Sequence, residues 1–252
     1  MYNTETVHAK LAEIEEKTGK SPSAFICEPL VGNAGSIELP PGYLQQVYAA
    51  VRAKGGLCIC DEVQVGYGRL GSYFWGFEEH GVVPDIITMA KAAGNGHPMG
   101  YVVVSRDIAE EFRKLESSFF SSAGGCPISC VTGTQVLRLI DKECLQNNAH
   151  SIGKYLRSRL LDLQQRHPQV IGCIHGHGLY QGVELVNEGS PDRPAPSGMT
   201  QAICNRLLTL GVICHGTGDY SNVLKVKPPL CFNRADADFF VSTLDTVLRT
   251  GW

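Results

Sequence analysis

The sequence predicts an α/β protein: a mostly parallel sheet domain followed by a smaller C-terminal α+β domain. Three observations carry that expectation. Short, continuous apolar runs recur about one helix apart through the first half, as parallel strands buried on both faces do. The best-defined of these runs stop at an acidic residue. From Pro127 onward two long helical patterns come first and strand-like pieces follow, which suits a separate α+β unit. Composition permits this. A chain of 252 residues holds one large or two modest domains, and 43% hydrophobic against 19% charged residues is a globular balance.

Taken in order, residues 1 to 22 read as one helix with Val7, Leu11 and Ile14 on a face. Ala24 to Cys27 is a strand ending at Glu28-Pro29, and a loop rich in Gly and Asn follows from Gly32 to Gly35. Pro40-Pro41 opens a helix with Leu44, Val47, Tyr48 and Val51 on one face, and Gly55-Gly56 closes it. Leu57 to Cys60 is a second buried strand, ending at Asp61-Glu62; Ile86-Ile87 and Tyr101 to Val104 are two more. Pro127 to Ile140 and Ser151 to Gln165 are helices. Val170 to Ile174, Leu179 to Leu185 and Val223 to Val226 are strands, and Thr200 to Leu210 and Asp236 to Leu248 are helices. The run Asn187 to Ser197 has the composition of a surface loop. The boundary falls near residue 148, giving domains 1–148 and 149–252.

Several functions are disfavoured. The net charge is −3 with no basic block, so nucleic acid is not an expected partner. No apolar run is long enough for a membrane span. Met1 to Lys10 is polar and lacks the apolar core of a secretory signal, so a cytoplasmic protein is expected. None of the ten cysteines forms a Cys-x-x-Cys pair, which leaves small buried hydrophobes in a reducing compartment.

Ligands of open α/β sheets bind beyond the carboxyl ends of the strands. Glu28 and Asp61 stand at such ends, and Lys91 follows a third apolar segment, flanked by Met89-Ala90 and Ala92-Ala93-Gly94. Small apolar surroundings would desolvate the amine and make it a nucleophile. A strand-end acid with such a lysine suits pyridoxal phosphate, whose aldehyde joins the lysine and whose pyridinium nitrogen pairs with the acid. The same two residues would equally serve as a structural ion pair.

The wider sequence is more specific. Ile59-Cys60-Asp61-Glu62-Val63-Gln64-Val65-Gly66-Tyr67-Gly68-Arg69-Leu70-Gly71 precedes Phe74-Trp75-Gly76-Phe77-Glu78. Val83-Pro84-Asp85-Ile86-Ile87-Thr88-Met89-Ala90-Lys91 and Gly94-Asn95-Gly96-His97-Pro98-Met99-Gly100 follow. This order closely resembles the class III, or omega, aminotransferases of the fold-type I pyridoxal phosphate enzymes. Ser121 to Cys130 and Asn222 to Cys231 look most like the alanine–glyoxylate aminotransferase and ethanolamine-phosphate phospho-lyase branch. The resemblance implies a transaminase acting on small-molecule amines and oxo acids, and a homodimer. By it, Lys91 carries the Schiff base and shuttles the proton, Asp61 holds the pyridine nitrogen protonated, Val63 packs on the ring face and Gln64 lies near the phenolic oxygen. Ser122 stands where the family usually has Thr and would reach the cofactor phosphate of the neighbouring subunit; an ordinary loop hydroxyl is the alternative. Glu28, Arg69, Trp75 and Phe77 match the family with structural rather than catalytic roles.

Three departures bear on function. His175, in His175-Gly176-His177-Gly178-Leu179, replaces an arginine that binds the substrate α-carboxylate in many members. Asn33 replaces a glutamate that pairs with that arginine in GABA-type and ornithine-type members. A neutral or half-charged imidazole lacks the bidentate fork a carboxylate prefers. A substrate amine bearing phosphate, or a simple ω-amine, therefore fits His175 as the substrate-binding residue, and a phospho-lyase becomes the alternative activity. Family drift with another arginine as the clamp is the competing explanation. His175 and His177 also put two rings on one strand face, as a zinc site would, yet no further Asp, His or Cys pair completes one and no metal is expected. Finally, family enzymes are longer, and nothing before Ser23 supplies their glycine–serine phosphate cradle. The chain looks like the C-terminal portion, and a non-catalytic chain is a third possibility.

Overall fold

The computed structural model describes residues 4–115 and 119–252, and residues 1–3 of the first expected helix lie outside them. The strands are β1 (Ala24–Cys27), β2 (Leu30–Val31), β3 (Ile37–Glu38), β4 (Leu57–Asp61), β5 (Ile86–Met89) and β6 (Tyr101–Val104). After them come β7 (Ile171–His177), β8 (Tyr180–Asn187), β9 (Ser190–Pro194), β10 (Gly216–Thr217) and β11 (Val223–Val226). The α-helices are α1 (Thr4–Thr18), α2 (Tyr43–Ala53), α3 (Gly76–Glu79), α4 (Arg106–Lys114), α5 (Pro127–Lys142), α6 (Leu145–Arg166), α7 (Ser197–Thr209) and α8 (Arg234–Thr250). None of them is long and apolar enough to cross a membrane.

Two compact units form. The first comprises Met1–Pro29, Leu39–Tyr67 and Trp75–Glu143. Its sheet runs β1-β4-β5-β6. β1, β4 and β5 are parallel, in a register that sets Cys27 beside Cys60 and Asp61 beside Thr88. The fourth strand departs from a wholly parallel sheet: β6 runs antiparallel to β5. The outer strands also depart from burial on both faces, since Ile26 is 59% and Val102 67% exposed. Helix α2 lays Leu44, Val47, Tyr48 and Val51 into the interior, as its period predicts. It starts at Tyr43, behind a left-handed Gly42 at φ 76°, rather than at the prolines.

The second unit comprises Leu30–Glu38, Gly68–Phe74 and Cys144–Trp252, so it draws in two stretches that precede residue 148. Its sheet runs β10-β11-β8-β7, with β9 paired to β8, and these pairings are antiparallel. The expected loop at 187–197 thus contains a strand, because Ala195 N–H and the β8 backbone give its polar residues a ladder to join. Leu156, Leu160, Ile203, Leu207, Val241 and Leu244 from α6, α7 and α8 pack with Ile174, Val183 and Leu185 of the sheet. The opposite face of β7 carries the half-buried Cys173, His175 and His177.

Candidate active site

The first unit brings Asp61 and Lys91 to one edge of its sheet. Asp61 ends β4, and two residues separate Lys91 from Thr88, the partner of Asp61 on the adjacent parallel strand. The backbone N–H of Glu62 donates to Thr88 O at 2.9 Å and extends that pairing past the strand end. Asp61 is half-buried, and its Oδ1 accepts the N–H of Val63 at 3.0 Å. This local bond fixes the carboxylate at the head of the following turn. Val63 is half-buried and Gln64 only 7% exposed.

Lys91 opens a 3₁₀ turn, Lys91–Gly94, at φ 44°. This left-handed conformation is strained for a residue with a long side chain, by about 1 kcal/mol or more, and such strain clusters at functional sites. Asn95, also left-handed at φ 45°, ends the turn. His97 Nε2 meets Ser129 Oγ of α5 at 2.8 Å and moors the loop that follows. Ala93 and Gly94 are buried while Lys91 is exposed. The small apolar neighbours therefore fill the interior, and this corrects the expectation that they desolvate the amine. Ser122 is exposed in the turn ahead of α5.

Glu62 was not singled out by the sequence. It is fully buried, and its Oε2 and Oε1 accept the N–H groups of Gly76 at 3.0 Å and Phe77 at 2.9 Å. Burial pushes its carboxyl above the usual carboxylate range, against the lowering effect of those two N–H groups. It thereby ties the Asp61–Gln64 segment to the Trp75–Phe77 turn, where Trp75 meets Tyr67 edge-on at 5.3 Å. The Asp-Glu pair at the end of an apolar strand was the available signal.

His175 lies in the second unit, as does Asn33. His175 Nε2 is 2.7 Å from Glu184 Oε2 of β8. Its pKa is raised to about 9, by the Cys173 thiol first and the Glu184 carboxylate second. This corrects the neutral or half-charged imidazole: the ring's pKa lies above its ordinary value, and its Nε2 is already bonded to a carboxylate. His177 Nδ1 turns to a different carboxylate, Glu38 Oε1, at 2.9 Å, and no cluster of three or more metal-ligating side chains occurs among the described residues. Asn33 offers its backbone carbonyl to Thr217 Oγ1 at 2.9 Å and to the Gly218 N–H at 3.1 Å. Arg69, in the same unit, donates to the carbonyls of Leu179 at 3.0 Å and Pro228 at 2.8 Å. Burial lowers its pKa to about 10.

The sequence pattern of the family described as aminotransferase class-III matches residues 2–248. An alanine–glyoxylate aminotransferase 2 homolog of Arabidopsis thaliana, named as mitochondrial, is 45% identical over 88% of this chain and 46% of its own length. The mitochondrial alanine–glyoxylate aminotransferase 2 of Homo sapiens is 36% identical over 93% of this chain and 45% of its own. Among solved structures, a phospholyase from Arthrobacter in complex with phosphoethanolamine superposes with a TM-score of 0.93 at 37% identity, over 99% of this chain and 58% of that one. A Bacillus anthracis aminotransferase gives 0.88 at 32% identity, over 96% and 56%. The chain spans about half the length of the curated relatives it matches. The mitochondrial relatives overturn the cytoplasmic expectation. That expectation rested on a polar stretch at Met1, which carries no address when the match covers half of each relative.

Proposed function

The chain belongs to the class-III aminotransferases, a pyridoxal phosphate-dependent family, and from that premise we propose that it contributes the lysine and the pyridine-binding acid of an aminotransferase site. The activity is transfer of an amino group from an amine or amino acid to an oxo acid. One observation carries the reading: a strained, exposed Lys91 stands beyond the end of β5, next to the strand that ends in Asp61. When bound, the cofactor supplies an electron sink conjugated to the substrate amine.

Each residue has a task in this reading. Lys91 Nζ would hold the cofactor at its aldehyde and would carry a proton to and from the substrate carbon. Asp61, its Oδ1 fixed by the Val63 N–H, keeps a proton on the pyridine nitrogen. Val63 would support the ring face, and Gln64 would lie beside the phenolic oxygen. Ser122, exposed on its turn, would reach the phosphate held by a second copy, and a homodimer would be the working form. The first unit then belongs to the large cofactor domain and the second to the small C-terminal domain. The test is direct: incubate the chain with pyridoxal phosphate, reduce with borohydride and map the adduct by mass spectrometry. An adduct on Lys91 that disappears in Lys91→Ala is expected. Its absence in the unmodified chain would leave a non-catalytic chain.

A phospho-lyase is a second reading. It is supported by the 0.93 superposition on a phospholyase holding phosphoethanolamine and by His175 in place of an arginine fork. A longer protein containing this chain, given phosphoethanolamine or alanine plus glyoxylate, separates the two. Phosphate release supports elimination; amino transfer without phosphate release refutes it.

A further inference from the structure

The open face of β7 holds a cluster that lies outside the lysine and acid proposed for amino transfer. Cys173 and His175 are two residues apart on one strand and so share a face. The thiol and the imidazole therefore stand side by side on that face, and His175 Nε2 is bonded to Glu184 Oε2 at 2.7 Å. The row thus reads thiol, imidazole, carboxylate, an order in which the acid orients the ring and the ring activates the sulfur.

The backbone builds this row. Ile171 pairs with Leu185, but Cys173 pairs with Glu184, so one extra residue, Gly172, is bulged out of β7. Regular pairing would have set Cys173 against Val183 and turned it toward the helices. The bulge sets it opposite Glu184. A Cβ at position 172 would come within 2.4 Å of Val186 Cγ1, so glycine is required. Gln164 Nε2 donates to the Gly172 carbonyl at 2.7 Å and secures it. Bulges that re-aim side chains recur beside reactive sites.

Charge and access agree. The side chains of His175 and Glu184 are 21% and 30% exposed, and Cys173 is half-buried. Other charged groups that act on the cluster are Arg157 of α6 and Glu38 of β3. The Cys173 thiol is held below the ordinary thiol range, chiefly by the neighbouring His175. Burial instead pushes Cys27 and Cys58 up to about 11.

We propose that Cys173, backed by His175 and Glu184, is a nucleophilic thiol that reacts with hydrogen peroxide and is stored as a sulfenic acid. The sulfur attacks one peroxide oxygen; the S–O bond forms as the O–O bond breaks. Sulfur loses two electrons and the peroxide gains them. The departing hydroxide takes the imidazolium proton of His175 and leaves as water, so thiolate, imidazolium and peroxide become sulfenic acid, imidazole and water. The inference goes beyond the proposed amino transfer and does not depend on it.

The experiment needs no cofactor. The chain is treated at about pH 6.5, where ordinary thiols are largely protonated, with a short pulse of iodoacetamide or with peroxide plus dimedone, and each cysteine is quantified by peptide mass spectrometry. Cys173 should react about fivefold or more faster than the exposed Cys130, Cys144 and Cys231, the thiolate gain being partly offset by lower intrinsic nucleophilicity. Cys126 is the internal reference, because its thiol is lowered by the N–H groups at the start of α5 and not by His175. Glu184→Gln and His175→Gln should slow Cys173 and leave Cys126 unchanged. Equal rates at Cys173 and the three exposed thiols in the unsubstituted chain would overturn the proposal even if both variants failed to fold. An unchanged Cys173 rate in a folded Glu184→Gln variant would overturn it as well.

Discussion

Replacing Glu62 by Gln is the most informative single perturbation. The substitution preserves length and shape but turns one acceptor oxygen into an NH2 group. Glu62 lends both oxygens to backbone donors, Gly76 at 3.0 Å and Phe77 at 2.9 Å, in a fully buried site. In the variant one of those N–H groups must face another donor. Hydrogen bonds to charged groups contribute about 1.5–3 kcal/mol each, and an orphaned buried donor costs about 1–3 kcal/mol. The expected loss in unfolding free energy at neutral pH is therefore roughly 2–4 kcal/mol, or about 5–15 °C in Tm for a chain of this size.

The pH dependence has a definite sign. Burial raises the Glu62 carboxyl above its ordinary value, so its contribution is fully present below the unfolded pKa and falls as pH rises through the folded one. Gln does not titrate. The stability gap between the two proteins should thus be widest in mild acid and narrow toward neutrality. Urea unfolding at several pH values measures it. A gap under about 0.5 kcal/mol at neutral pH, or one that widens as pH rises, would refute the account of a buried carboxylate bracing the Asp61–Gln64 segment.

Three further outcomes are expected. Gly178→Ala should destabilise the second unit by about 3 kcal/mol or more, because Gly178 sits at φ 56° and a Cβ would approach Leu70 O to 2.5 Å; a variant that unfolds thermally at the parent's temperature would contradict it. Asp245 is 13% exposed and bonded to Arg166 at 2.6 Å, His167 at 2.7 Å and Arg249 at 3.1 Å. Burial alone would raise its carboxyl, but the His167 and Arg166 bonds outweigh it and lower the pKa, so its contribution is present above the ordinary carboxylate pKa and lost as pH falls through the folded one. Asp245→Asn should be less stable than the parent near neutrality and match it in strong acid, as acid titrations of unfolding would reveal. Ser129→Ala removes the 2.8 Å contact to His97 and should cost at most about 1 kcal/mol of stability while speeding cofactor loss, followed by absorbance after gel filtration; unchanged retention would argue that the loop after Lys91 needs no mooring to α5.

Much of the fold was legible because its signals are local. The face Leu44, Val47, Tyr48 and Val51 is buried as its helical period requires, and the runs at Ala24, Leu57, Ile86 and Tyr101 are strands. What escaped depends on partners distant in sequence. The direction of β6 follows from the route of the Lys91–Gly100 loop, not from Tyr-Val-Val-Val itself. The stretches Leu30–Glu38 and Gly68–Phe74 join the second unit through glycines whose neighbours no pattern announces: Gly178, for instance, has no room for a side chain beside Arg69 O and Leu70 O.

The candidate site divides along the same line. Asp61 and Lys91 were legible as strand-end residues because parallel strands deliver their carboxyl ends to one edge. The solvation of Lys91 was not, since Ala92, Ala93 and Gly94 describe what lies beside the lysine in sequence and not which way each residue faces. His175 is the sharper case. Read alone, its ring titrates near neutrality. In the fold a single bulged glycine shifts the register by one residue and sets Glu184 opposite Cys173 and within 2.7 Å of the ring, and Cys173 and Glu184 together raise the imidazole pKa to about 9. An imidazole already bonded to its own glutamate differs from a free arginine fork, because Glu184 occupies the Nε2 position that the fork would offer.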